Sequence, residues 1–381
     1  MKKIRHFWPV ALTTALLSMT LLSGCQSNSS KATTNERFQD VLDEAVSKGL
    51  PGVSVRVAGK NIDFSGSAGV SNLDTQEPTS VESRFYVASI GKTFVAATLV
   101  QMASDGLLSL DDGITQWLPD SVTGRLPSSE MMTVRMLLNH TTGIFDFQND
   151  SEDWDNAFIA SGPERQWSQE DALPFFLDKP LHFEPGTNYS YSNSNYILAA
   201  LIAEEASGEP LYTAIRNRII EPLGLTNTLQ GGEAEGIPGM VHGYFDNEGE
   251  QFDSYPWYSH FGLADGGIQT TADDLAKFIV GILTSDAVLD DAMRAEMLQP
   301  SLLGTPPSLY GLGISIKPVA NGEEVIYTHS GKDPGYQAEM LYFENKETVI
   351  TLCANGSFDN YDVVAQELLT EIFYLLEELQ D

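Results

Sequence analysis

Ser89-Ile90-Gly91-Lys92 sets a hydroxyl and an amine three residues apart, a spacing that on a helix puts both side chains on one face, one turn apart. A serine hydroxyl is a weak nucleophile until a base takes its proton. A lysine amine can be that base once burial lowers its pKa and leaves it neutral. The chemistry this pair suggests is acyl transfer through a covalent intermediate on Ser89. The apolar residues Phe94, Val95, Leu99, Val100 and Met102 predict a helix directly after the pair, and Arg84-Phe85-Tyr86-Val87 reads as a strand before it. Ser89 is therefore expected at a helix N-terminus, where unpaired N–H groups and the positive end of the helix dipole stabilise charge developing on the serine oxygen.

A lone Ser-x-x-Lys has little weight, because a helix cap followed by a solvated lysine has the same pattern. Two further segments add to it. Tyr191-Ser192-Asn193 follows the turn-forming Glu184-Pro185-Gly186-Thr187-Asn188, where polar groups can project into a cleft and a phenol can relay a proton. His329-Ser330-Gly331 precedes a strand and is followed by Lys332-Asp333-Pro334-Gly335-Tyr336. A glycine there is expected to let a substrate backbone approach a sheet edge.

Ser-x-x-Lys, Tyr-x-Asn and His-x-Gly in this order resemble the serine beta-lactamase and penicillin-binding family, in its class C and DD-carboxypeptidase branch. Leu137-Leu138-Asn139-His140-Thr141-Thr142-Gly143-Ile144, and Gly266-Gly267-Ile268 with Thr271-Ala272-Asp273-Asp274-Leu275, resemble further blocks of that family. The resemblance runs from about Asn35 to the C-terminus. It implies that Ser89 is acylated, Lys92 is its base, and Tyr191 passes a proton to the leaving group. It also implies that Asn193 holds the substrate amide, with His329, Ser330 and Gly331 binding substrate. The backbone N–H groups of Ser89 and Lys332 would form the oxyanion hole, each such donor being worth about 3 kcal/mol. No cofactor or metal is implied.

Many lactamases of this family carry lysine where this chain has His329, and histidine there resembles relatives that are DD-carboxypeptidases, D-amino-acid peptidases or esterases. The function expected is therefore a D-alanyl-D-alanine carboxypeptidase or related D-amino-acid peptidase, with esterase and then beta-lactamase behind it. A non-catalytic envelope sensor of cell-wall peptides or beta-lactams is the reading outside enzymology. His329 is expected to hydrogen-bond a terminal carboxylate, with a charge that changes near its ordinary pKa of about 6.5.

The elements that must position these residues are legible in outline. Phe38, Val41, Leu42, Ala45 and Val46 recur at helical spacing between the capping candidates Thr34 and Asn35 and the terminator Gly49. Val53, Val55 and Val57 alternate as a strand. Tyr342-Phe343 and Val349 to Leu352 read as two more strands, followed by a long helix carrying Val364, Leu368, Leu369, Ile372, Phe373 and Leu376. Between Phe94 and Asn227 helices dominate, Asn195 to Ala206 among them. The fold expected is α/β (α+β): an antiparallel sheet flanked by helices with an inserted helical region, and the resemblance implies the beta-lactamase/transpeptidase type.

Lys2, Lys3 and Arg5 precede an apolar stretch from about Phe7 to Leu22, too short for a stable membrane span. It ends in Leu22-Ser23-Gly24-Cys25, which resembles a bacterial lipobox. Residues 1–24 are expected to be a lipoprotein signal peptide, 25–34 a tether lipidated at Cys25, and 35–381 one serine hydrolase domain. A cysteine carrying more than one acyl chain holds a protein firmly on a membrane. An exported bacterial lipoprotein of the cell envelope follows, on the periplasmic face in a Gram-negative host.

The net charge of −32 excludes nucleic acid as a partner. The partners expected are a peptidoglycan-type peptide, a beta-lactam or a small ester. Cys353 lies in the apolar run Val349 to Ala354 and reads as a core residue. Gly91-Lys92-Thr93 is no phosphate-binding loop, because Tyr86 stands where that loop needs glycine. Gly-x-Ser-x-Gly does not occur, and His140, His182, His242 and His260 have no zinc-ligand spacing. His140 reads as part of a hydrogen-bonded turn beside the cleft.

Overall fold

The computed structural model describes residues 33–380 apart from 232–238, 248, 302, 304–308 and 320–323. Residues 1–32, which include the expected signal peptide, Cys25 and nearly all of the expected tether, lie outside the described residues. Among those described, no helix is long and apolar enough to cross a membrane.

Helix α1 (Thr34–Ser47) is capped by Thr33, not by Thr34 or Asn35. The Thr33 hydroxyl accepts from the Glu36 N–H at 3.3 Å, and the Glu36 carboxylate accepts from the Thr33 N–H at 2.6 Å. This reciprocal box needs an acid three residues after the cap, and Glu36 selects Thr33.

Eight strands follow in one antiparallel sheet: β1 (Gly52–Gly59), β2 (Ile62–Asn72), β3 (Glu77–Pro78), β4 (Leu309–Tyr310), β5 (Ser315–Pro318), β6 (Val325–Asp333), β7 (Tyr336–Phe343) and β8 (Thr348–Ala354), in the order β3-β2-β1-β8-β7-β6-β5-β4. The N-terminal strand β1 pairs with the C-terminal strand β8 in the register Val53↔Ala354 to Ala58↔Val349. The two ends of the domain thus close one sheet, and the segment between Pro78 and Leu309 is inserted into it. This is the expected architecture.

Side-chain alternation assigns the two faces. Leu341 and Phe343 pack with Phe38, Leu42, Ile350, Leu352 and Ile372 under α1 and the C-terminal helix, labelled α5 (Asp359–Gln380) below. Met340, Tyr342 and Cys353 join the second cluster, shared with the inserted helices. There α2 (Gly91–Ser104), α3 (Ser194–Ser207) and α4 (Ala272–Thr284) pack against the sheet. Helices α2 and α3 are apolar and buried on nearly every side, as expected where neighbours cover a helix all round. Phe94 of α2 stacks on Phe278 of α4 with ring centroids 3.6 Å apart. Burial raises the pKa of the Cys353 thiol, consistent with an inert core residue.

Candidate active site

Ser89 lies in a 3-10 turn, Ala88–Ile90, immediately before α2. Ala88 has φ +46, a strained backbone for a residue with a side chain. The turn is anchored by the Val87 N–H, which donates to the Ile268 carbonyl at 3.0 Å. Gly331 of β6 meets the same turn: a Cβ there would lie 1.9 Å from the Val87 carbonyl oxygen. The glycine expected to admit a substrate backbone is thus required first by the packing of β6 on the turn that carries Ser89.

Lys92, in the first turn of α2, is fully buried. Its Nζ donates to Ser89 Oγ at 3.1 Å and to the Asp265 main-chain carbonyl at 2.5 Å. The 263–267 loop reaches this close because Gly91 backs onto Gly266, where a Cβ would meet the Gly266 carbonyl oxygen at 2.1 Å. Burial lowers the Lys92 pKa, against the opposing charges of Asp265, Asp146 and Asp333.

The Tyr191 ring centroid is 5.2 Å from Lys92 Nζ. The ring is part-exposed, but its phenol oxygen is buried. Burial raises the phenol pKa well above its ordinary value, against a hydrogen bond with Ser89. First- and second-segment residues thus meet at the Ser89 hydroxyl. His140 packs on Tyr191 with centroids 4.2 Å apart. Its φ is +61, and its Nδ1 accepts from the Ser192 N–H and the Asn195 side-chain amide, both at 3.2 Å. Burial and nearby Lys92 hold this imidazole neutral. It supports the loop that presents Tyr191.

Asn193 stands at the start of α3, where its side-chain amide donates to both oxygens of Asp146, at 3.1 and 3.2 Å. The N–H donors expected to face a substrate are occupied by this carboxylate. Asp146 also accepts from the Gln148 N–H and the Asn149 side chain. Burial nevertheless raises its pKa. The Gln148 side chain donates to Asp265 Oδ2 at 2.7 Å, and burial pushes the Asp265 carboxyl up to about 6.

His329 differs from expectation in charge and in partners. Its Nδ1 donates to the Ser330 carbonyl at 2.7 Å, and its Nε2 accepts from the Tyr310 hydroxyl at 2.9 Å. Burial, then the Lys92 charge, press its pKa down to about 3, so it is neutral near pH 7 and does not titrate near 6.5. Ser330 is exposed, and alternation along β6 sets its side chain on the face opposite His329. The Lys332 side chain is on that second face too, paired with Asp362 at 2.6 Å. Along β6, the ladder with β5 covers only Val325 to Thr328, so His329 to Asp333 extend past its end.

Asp146, Gln148, Asp265 and Tyr310 were not singled out from the sequence. The available signal was an acid set among apolar neighbours, as in Phe145-Asp146-Phe147 and Leu263-Ala264-Asp265, since buried acids need partners. Among the described residues no group of His, Cys, Asp and Glu could hold a metal ion.

The model of the Beta-lactamase family matches residues 36–372. The chain is 26% identical over 328 residues to penicillin-binding protein 4* of Bacillus subtilis, covering 82% of this chain and 69% of that protein. It is also 26% identical to a D-aminopeptidase of Cereibacter sphaeroides, covering 83% of this chain and 60% of that enzyme's length. Among solved structures, a D-amino acid amidase of Ochrobactrum anthropi SV3 superposes with a TM-score of 0.76 at 26% identity, over 91% of this chain and 99% of the amidase. With a matching family model over most of its length and a part-exposed Ser89 hydrogen-bonded to a fully buried Lys92, the chain belongs to the Beta-lactamase family and is a serine hydrolase.

Proposed function

We propose that this protein hydrolyses peptides or amides of D-amino acids through an acyl-enzyme on Ser89. The observation that carries the reading is the fully buried Lys92 amine, 3.1 Å from Ser89 Oγ. In its neutral form this amine takes the Ser89 proton as Oγ bonds to the scissile carbonyl carbon. Backbone N–H groups of Ser89 and Lys332 hold the oxyanion. As the carbon–nitrogen bond breaks, Tyr191 gives its phenol proton to the leaving amine and is reprotonated by the Lys92 ammonium, which restores the neutral base. Water then attacks the ester, giving the free acid and restoring Ser89.

The D-amino-acid assignment draws support from the names of the relatives, a D-aminopeptidase and a D-amino acid amidase. This chain spans 60% of that aminopeptidase, so the substrate range of the longer enzyme does not carry over as a whole. The N-terminal segment supports export and lipidation at Cys25. The deciding experiment follows D-alanine release from Lys-D-Ala-D-Ala and from D-alaninamide by the domain and by Ser89→Ala, with a simple ester and a penicillin alongside. Ser89-dependent D-alanine release from at least one of the two is expected; turnover of the ester alone moves the assignment to an esterase.

A further inference from the structure

The charges beside Ser89 are unbalanced in one direction. Asp146 and Asp265 are both buried there, and Lys92 is the cation that acts on them. Both histidines are neutral. Lys332 is paired with Asp362 on the other face of β6, and Lys317 stands opposite Ile326, whose side chain packs with the α1 and α5 cluster. From Thr33 onward every lysine and arginine lies among the described residues. Lys317 still bears on His329, as the smallest of the influences on that ring, so the site offers a substrate carboxylate little positive charge beyond the amine already bound to Ser89 and this more distant lysine.

Asp265 also has spare capacity. Its Oδ2 is held by Gln148, but its Oδ1 is buried without a hydrogen-bond partner, a costly state for a carboxylate oxygen. Its main chain is one hydrogen bond from Lys92 Nζ, which is one hydrogen bond from Ser89 Oγ. In an acyl donor with a free N-terminal residue, the ammonium nitrogen is attached to the carbon next to the scissile carbonyl. The anion that receives it must stand close to the nucleophile. The carboxylate of a carboxypeptidase substrate is instead on the leaving-group side.

We propose that Asp265 receives the ammonium group of a substrate cleaved at its free N-terminal residue, making this site an aminopeptidase or amino-acid amidase centre and not a carboxypeptidase centre. The assignment rests on the acyl-transfer reading above and specifies its substrate class. Asp146 and Gln148 act as positioning residues, linking Asn193 to Asp265. A cation bound there also opposes protonation of Lys92, which favours the neutral base that the first step needs.

The test compares kcat/KM for p-nitrophenyl esters of D-alanine and N-acetyl-D-alanine, each corrected for uncatalysed hydrolysis. Activated esters report Ser89 acylation whether or not amides are cleaved. The wild-type protein is expected to favour the free amine by about 10-fold or more, the scale of one hydrogen bond to a charged group. Asp265→Asn should bring the ratio toward one and Asp265→Glu should restore part of it. Gln148→Leu, which releases the carboxylate without removing its charge, should lower the ratio and serves if Asp265→Asn does not fold. Equal rates or preference for the acetylated ester in the wild-type protein, or an unchanged ratio in Asp265→Asn, overturn the assignment. Equal use of the L-alanine ester with the ammonium preference intact would instead count against the D-amino-acid reading alone.

Discussion

Tyr310 donates its phenol proton to Nε2 of His329 across 2.9 Å. Because Nδ1 of that ring already donates to the Ser330 carbonyl, the two bonds select one neutral tautomer. Removing the Tyr310 hydroxyl leaves Nε2 a buried acceptor without a donor. Tyr310→Phe is expected to destabilise the protein by about 1–3 kcal/mol, read as a lower urea midpoint at unchanged slope. An unchanged midpoint would mean that the bond does not form in solution.

The same ring sets a pH dependence. His329 has a folded pKa of about 3 against an unfolded value of about 6.5. Between these values the unfolded chain binds a proton that the native protein excludes, so this contribution to stability is lost as pH falls from about 6.5 to about 3. Asp265, raised to about 6, and Glu339, raised to about 7, act oppositely, because the folded protein keeps their protons. Comparing wild type with His329→Gln cancels those acids. The difference in unfolding free energy should move in favour of the variant on acidification, by up to about 5 kcal/mol at pH 3; parallel curves would contradict a buried neutral His329.

Lys92 separates chemistry from folding. Burying an amine costs stability, so Lys92→Ala should fold at least as well as wild type up to the cavity term for its lost stem. Acylation should nevertheless slow by about 100-fold or more, the range for loss of a positioned base. Thermal unfolding and burst kinetics with an activated ester check the two halves. A variant that acylates at the normal rate would remove Lys92 from the mechanism.

Lys92 also predicts the activity profile. Its pKa is lowered by burial, so the neutral amine appears at lower pH than for a solvated lysine. Acylation should rise as pH increases through that pKa, and the limb should be absent in Lys92→Ala. Single-turnover rates from pH 5 to 9 decide this.

Gly331→Ala would drive a methyl group into the Val87 carbonyl oxygen, 1.9 Å from the Cβ position. Since both partners are backbone, β6 or the Ser89 turn must move. We expect about 1–3 kcal/mol of destabilisation together with a fall in kcat, measured by urea unfolding and ester turnover. Ala at Ser330, whose side chain is exposed on the other face, should change stability by less than about 0.5 kcal/mol.

Local chemistry was enough for some of this. Ser89 and Lys92 lie one turn apart, so their meeting follows from helix geometry wherever the helix forms. The apolar periodicities of Phe38 to Val46 and the alternation of Val53, Val55 and Val57 likewise mark α1 and β1 before any contact is known. The resemblance added the order of the three segments and hence the architecture. Helix caps were less legible, because Thr33, Thr34 and Asn35 are all suitable and Glu36 alone decides between them.

Everything that depends on desolvation needed the tertiary structure. A sequence does not say that Lys92 has no exposed surface, that His329 meets Tyr310 and not solvent, or that Asp146 takes the donors of Asn193. These facts arise because β6, the Ser89 turn, α3 and the 263–267 loop, far apart in the chain, converge behind one hydroxyl. Protonation follows from that convergence. The sequence by itself determined which groups could react and in what order they occur. Only the packing decided which are charged, which are already occupied, and that the spare charge beside Ser89 is negative.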